Sequence, residues 1–239
     1  MLEAAFWGLF TAASLWVGAA LAVFGRLGHR WIGLAMAFGA GAIIAAVAYE
    51  LVFEAFETSI RHASVGFAVG AIVFYLGDWI IDRRGGHGRK SMMGESQLAG
   101  SANAIVLGTV LDGIPESFVL GASIQEDGLV PVAVVVGVFV SNVPEALSGT
   151  SGLLEAGWTR WRVFALWSKV VAVSVVAAAV GWGLLDVIGT GGGAFALAFA
   201  GGALLVMLAD TLIPEAFDLG GREAGLLTAL GFALGFALS

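Results

Sequence analysis

Two short stretches of an otherwise apolar chain carry the residues most able to do chemistry. Asp112-Gly113-Ile114-Pro115-Glu116 and Ser141-Asn142-Val143-Pro144-Glu145 each set a polar side chain four residues before a glutamate, with a proline directly ahead of that glutamate. On a helix, positions i and i+4 share a face, so Asp112 points with Glu116 and Ser141 with Glu145. The prolines remove backbone donors, bend their helices and release carbonyl oxygens as further ligands. Brought together, the two faces offer three carboxylates, the Ser141 hydroxyl and the Asn142 amide. Ionised carboxylates at low dielectric repel one another strongly, and a divalent cation or bound protons would relieve that repulsion. The competing structural reading keeps the acids protonated as helix-packing hydrogen bonds. Three acids and two prolines are a costly way to pack helices.

Two further acidic groups stand at the ends of apolar segments: Glu50, Glu54 and Glu57, and Asp210, Glu215 and Asp218. A central site with acids toward both openings resembles a pathway, although the outermost pair, Glu57 and Asp218, reads as solvated helix ends. Asp78 belongs either to the inner part of that pathway or to the interface. Lys169 has two readings. It snorkels back to the membrane surface, or it pairs with the carboxylates as a tethered cation in place of a second metal. His29, His62 and His87 are expected in loops, away from the centre. The site is then rich in oxygen, which favours Mn²⁺, Mg²⁺, Fe²⁺ or Ca²⁺, though zinc also binds carboxylates.

The elements that must position these residues follow from composition. Of 239 residues, 59% are hydrophobic and 12% charged, with a mean hydropathy of +0.95. A soluble domain carries about 25% charged residues, and no core of this size absorbs so much apolar sequence. A bilayer does, and helices of about 20 residues cross it with every backbone group satisfied. The runs do not alternate polar and apolar residues as a barrel would. The expectation is an all-α, polytopic membrane protein forming one transmembrane transporter domain over 1–239. Eight apolar segments lie at roughly 5–25, 32–56, 65–82, 101–123, 130–153, 162–184, 192–216 and 223–239. The polar stretch 83–100 between the third and fourth reads as a solvated loop.

Basic residues fix the orientation. Arg26, Arg30, the group from Arg83 to Lys90, Arg160, Arg162 and Arg222 fall in alternate loops, whereas the intervening loops offer Arg61, Glu126 and Asp127. By the positive-inside rule the first set, with loop 83–100, is cytoplasmic and both termini are extracytoplasmic. Met1 to Glu3 lacks the basic region and cleavage site of a signal peptide, so the first helix is expected in the mature protein. With no cysteine, disulfides and thiolate ligands are excluded. A net charge of −7 argues against nucleic acid and suits a cation pathway.

The chain also repeats itself. Residues 37–57, AFGAGAIIAAVAYELVFEAFE, align without a gap with residues 198–218, AFAGGALLVMLADTLIPEAFD. With eight segments these are the second and seventh, which cross in opposite directions. The Pro-Glu segments, fourth and fifth, oppose each other in the same way. Inverted repeats (segments 1–3 against 6–8, 4 against 5) with Pro-interrupted helices around a midplane site characterise transporters.

These features resemble the ZIP (Zrt/Irt-like) metal transporters, in particular their GufA-like bacterial branch. That family has eight helices, termini outside and a basic loop after the third. Its fourth helix typically carries His-Asn-x-Pro-Glu-Gly, and its fifth His or Gln followed by Asn-x-Pro-Glu-Gly. The resemblance covers almost the whole chain and is sharpest at 112–117, 141–146 and 210–216. It implies that Asp112 stands at the metal-binding histidine and Ser141 at the helix-five His or Gln. Glu116, Asn142 and Glu145 match directly, and Asp210 and Glu215 fall in the exit segment. Gly113, Ser117 and Ala146 depart from the pattern, and the helix-six glutamate of binuclear members has no match beside Lys169 and Ser174. The implied function is import of a divalent metal (zinc, manganese, iron or similar), carried as substrate with no cofactor, in a multi-pass protein of the bacterial inner membrane that pairs as a homodimer. Its partners are the lipid bilayer and the metal ion. The alternative is a ZIP-fold protein in which Lys169 replaces a metal and which serves as a sensor, a partner or a carrier of another solute. An intramembrane hydrolase is disfavoured. Tyr75-Leu76-Gly77-Asp78 lacks the first glycine of the aspartyl motif, and no His-Glu-x-x-His is present.

Overall fold

The computed structural model describes residues 1–25, 28–81, 83 and 102–239. The loop expected at 83–100, apart from Arg83, lies outside the described residues, as do Arg26 and His87. The described chain is helical throughout, with no strand. In order it comprises α1 (Leu2–Phe24), α2 (His29–Ala46), a π-helical stretch (Val47–Phe53), α3 (Glu54–Ile81), α4 (Ala102–Asp127) and α5 (Val132–Glu155). There follow α6 (Arg160–Met207), a second π-helical stretch (Leu208–Leu212), α7 (Ile213–Gly220) and α8 (Glu223–Leu238).

Among the described residues, five helices are long and apolar enough to cross a membrane: Leu2–Phe24, His29–Ile81, Val132–Glu155, Arg160–Leu184 and Gly191–Gly220. Glu223–Leu238 is apolar but shorter. The outward face of α3 is compatible with a lipid surround. Val65, Val69, Ile72, Val73 and Leu76 recur at helical spacing and are all exposed. A protein in water rarely leaves such a stripe bare.

The helix breaks have local causes. Ser59, at φ −163° and ψ 101°, is non-helical inside α3, where the sequence predicts the second segment to end and the third to begin. Gly128, Gly157 and Gly221 take positive φ in the turns after α4, α5 and α7, where a Cβ would be strained. At the start of α6 the Thr159 side chain accepts from the Arg162 backbone N–H at 3.3 Å. Two expectations are corrected. The sequence predicts a gap between segments at 185–191, yet the backbone stays helical over the 48 residues Arg160–Met207. A straight helix of that length would span about 72 Å, more than twice the hydrocarbon core; Arg160–Leu184 and Gly191–Gly220, which runs on into α7, are each long and apolar enough to cross. His29 and His62 are not in loops either: His29 is the first residue of α2, and His62 lies in α3 three residues past the Ser59 break.

Small residues set the helix pairing, as in membrane bundles where backbones approach closely. A Cβ on Gly70 would strike the Phe199 carbonyl, and one on Gly66 the Phe195 carbonyl, so α3 runs alongside the second half of α6 in the same direction. Gly231 meets Phe38 and Gly235 meets Ala42, which pairs α8 with α2, again in the same direction. Gly121 meets Ala178, pairing α4 with the first half of α6, and Gly18 meets Val143, pairing α1 with α5. The two ends of α2 mark the two ends of the bundle. Gly33 packs on Leu219 and Gly220, near the exposed Arg30–Glu223 ion pair at 2.7 Å. About 24 Å beyond Gly33 at the helical rise, in the π-helical stretch that follows α2, the Tyr49 ring lies tilted by 55° against Phe236 with centroids 5.0 Å apart.

Candidate functional site

Pro115 and Pro144 lie inside α4 and α5. Having no N–H, they cannot donate to the carbonyls of Leu111 and Val140 one turn earlier. Each places its glutamate in the middle of the bundle. Glu116 is 2% exposed, and Glu145 is half-buried.

Two small cavities share these glutamates. The first is lined by Leu15, Gly113, Glu116, Ser117, Asn142, Glu145, Val170 and Ser174. The second is lined by Met36, Glu116, Ser141, Glu145, Met207, Thr211, Leu212 and Glu215. Each encloses about 10 Å³, room for about one water-sized particle. Neither holds a hydrated ion or an organic solute, whereas a dehydrated metal ion is of the right size. The donors are carboxylates, hydroxyls and an amide. Met36 and Met207 add two thioethers to the lining of the second cavity, donors that would suit a softer ion than an all-oxygen set would. Among the described residues, no three His, Cys, Asp or Glu side chains converge closely enough to hold a metal ion. An ion at Glu116 and Glu145 would therefore draw ligands from the hydroxyls, Asn142 or the thioethers.

The other nominated residues fall as follows. Asp112 is buried one turn before Glu116 and lines neither cavity. Ser141 and Asn142 are buried and line one cavity each, and the Ser141 hydroxyl donates to the Val138 carbonyl at 3.1 Å. Glu215 is buried, and the Ser148 hydroxyl, one turn beyond Glu145 on α5, donates to its Oε1 at 3.1 Å. Asp210 is exposed, while its neighbour Thr211 turns into the second cavity. Glu50, Glu54 and Glu57 line a separate, open cavity of about 390 Å³ with Tyr49, Phe53, Phe236 and Ser239. Asp78 is half-buried on α3, one residue from Gly77, which packs on Leu111 of α4. Lys169 is exposed; the nearest residues of its helix that line the first cavity are Val170 and Ser174.

Thr211, Ser148, Ser174 and the two methionines are site residues that the motifs did not single out. Only Thr211 had a usable signal, since the repeat aligns it with Glu50.

Fold and site define an all-helical protein with several helices suited to a membrane and a glutamate-centred pair of ion-sized cavities at its core. No known family model matches the chain, and no curated protein matches it.

Proposed function

We propose that the chain is a ZIP-like carrier that moves a divalent metal cation across the cell membrane into the cytoplasm, with Glu116 and Glu145 as the central ligands. The observation that carries this reading is the pair of ion-sized cavities sharing those two glutamates. Ionisable groups at membrane depth are costly and mark ion pathways. Asn142, Ser141 and the neighbouring hydroxyls complete the shell, and Asp112 supports Glu116 from the preceding turn.

In this reading the chain crosses the bilayer eight times with both termini outside. The helix pairing supports the inverted repeat. Exchanging segments 1–3 with 6–8, and 4 with 5, turns the first–fifth pair into the sixth–fourth pair and the second–eighth pair into the seventh–third pair. All four pairs carry close glycine contacts. Alternating access then follows from one helix group moving against the other around a fixed centre. Entering ions meet Glu50 and Glu54 in the open cavity, lose water there and pass to Glu116 and Glu145. Asp210 and Glu215 serve the cytoplasmic side, and Asp78 flanks it. The exposure of Lys169 supports its role as an interfacial residue and speaks against a tethered cation in the site. A bacterial inner membrane and a homodimer are part of the same proposal, on the resemblance alone.

The test is uptake into proteoliposomes with Zn²⁺, Mn²⁺, Fe²⁺, Cd²⁺ and Mg²⁺. Saturable uptake of at least one ion, lost in Glu145→Ala, is expected. A wild-type protein that moves none of the five contradicts the proposal.

A further inference from the structure

A separate cavity of about 620 Å³ opens between two helix pairs. From one pair it is lined by His62 of α3 with Phe195 and Phe199 of the second half of α6, and from the other by Ile114, Pro115 and Phe118 of α4. Within each pair glycines bring the backbones together, Gly66 and Gly70 on the Phe195 and Phe199 carbonyls and Gly181 on the Phe118 carbonyl. The gap therefore lies between the pairs. It shares no lining residue with the two glutamate cavities.

The wall is apolar almost throughout. Among the described residues that line it, His62 carries the one polar side chain. The Phe195 and Phe199 rings stack along one side with centroids 6.2 Å apart. Such a wall offers ordered water too few partners, and an apolar void of about 150 Å³, roughly a quarter of this one, already stays dry and takes up benzene. Small-molecule sites have this character, a volume of about 300–1,000 Å³ and a mostly apolar lining with a few placed polar groups.

Here the polar group sits at one end. The lining on the second half of α6 runs from Gly191 to Ala200, about 14 Å at the helical rise. The His62 ring lies over Gly191, where an added Cβ would come within 3.4 Å of it. Because the backbone at Ser59 is non-helical, its hydroxyl reaches His62 Nδ1, at 2.8 Å. With Ser59 donating to Nδ1, the ring proton sits on Nε2 and is left for a ligand.

We propose that this cavity binds one long-chain fatty acid, with its tail along Phe195 and Phe199 and its carboxylate accepting from His62 Nε2. A methylene takes about the volume of a water molecule, about 30 Å³, so the space holds one chain of about twenty carbons and not two. A phospholipid brings two chains and a headgroup that one histidine cannot satisfy. The fatty acid touches both helix pairs and ties α3 to α4 beside the Pro115 bend. None of its contacts is a metal ligand, so the site stands apart from the transport reading.

Binding of radiolabelled palmitate to the full chain in detergent tests this. Wild type is expected to show a saturable component of one palmitate per chain, displaced by unlabelled palmitate and not by phosphatidylcholine. Ile114→Trp, which adds an indole to the cavity from a partly exposed position, should weaken binding at least tenfold. His62→Leu, which keeps bulk but removes the hydrogen bond, should weaken it about fivefold. Val176→Trp, on an exposed part of α6 outside the cavity, is the control and should bind like wild type. Thermal unfolding shows which variants are folded. No saturable component in wild type overturns the site, as does wild-type affinity in folded Ile114→Trp. Displacement by phosphatidylcholine as readily as by palmitate overturns the fatty acid as occupant, and wild-type affinity in His62→Leu overturns the placing of its carboxylate.

Discussion

Replacing Glu145 by glutamine keeps the side-chain shape and one oxygen donor while removing the charge that both central cavities share. The size of the effect can be worked from the site. Two unit charges 4 Å apart interact by about 4 kcal/mol at the effective dielectric of protein sites, and a divalent ion doubles that figure. The amide oxygen retains part of the interaction, and the lost repulsion between Glu145 and Glu116 offsets more of it. A net loss of about 3 kcal/mol remains, roughly a hundredfold in dissociation constant. The assay is thermal unfolding in detergent across a Mn²⁺ titration. An ion that binds only the folded state stabilises it by about 2.7 kcal/mol at a hundred times its dissociation constant. Wild type should therefore gain several degrees at a Mn²⁺ concentration where Glu145→Gln, then at about its own dissociation constant, gains only about 0.4 kcal/mol, roughly a degree. Glu116→Gln should behave alike, and the double variant should lose much less than the sum, because both groups act on one ion. Equal Mn²⁺-dependent shifts in wild type and Glu145→Gln would refute the reasoning. So would fully additive losses, since they would place the two glutamates at independent sites.

Three other outcomes follow from the packing. Trp167 is buried and its indole N–H donates to Thr150 Oγ1 at 2.8 Å, tying the helix that carries Ser174 to the one that carries Glu145. Thr150→Val orphans that donor and should cost about 1–3 kcal/mol, visible as a melting temperature lower by several degrees. Gly70→Leu drives a side chain into the Phe199 carbonyl; overpacking of this kind costs about 1–3 kcal/mol or more, so a reduced folded yield on size exclusion is expected, with Val69→Leu on the exposed face as the unaffected control. Lys169→Ala should leave ion uptake within about fivefold of wild type, because an exposed side chain outside the cavities contributes under about 1 kcal/mol.

The parts of this architecture legible from sequence were those written in residue types with strong local consequences. Pro115-Glu116 and Pro144-Glu145 announce bent helices bearing carboxylates, and the structure brings both glutamates to the same two cavities. The apolar segments foretell the helices, and the break at Ser59 falls where two of them were expected to part. Facing is harder to read. Asp210 was singled out by its charge, yet it is exposed while Thr211 turns inward, because a π turn shifts the register on which a 3.6-residue period depends. Ser148 and Ser174 are ordinary as residue types in an apolar helix, and only tertiary packing shows which serines meet a carboxylate and which bond to their own backbone. Lys169 illustrates the same limit, since its neighbour Val170, one position along, takes the place facing the site. The helical backbone through 185–190 was hidden for a different reason. Gly189, Gly191, Gly192 and Gly193 read as a helix break on intrinsic propensity, yet the backbone there is helical.

The central claim is that one dehydrated divalent cation sits between Glu116 and Glu145. Anomalous diffraction from crystals grown with Mn²⁺ or Cd²⁺ tests it most directly. The account predicts an anomalous peak in bonding contact with carboxylate oxygens of both glutamates, absent from crystals of Glu145→Gln. Peaks confined to the open cavity at Glu50, Glu54 and Glu57, with none between Glu116 and Glu145, would contradict it.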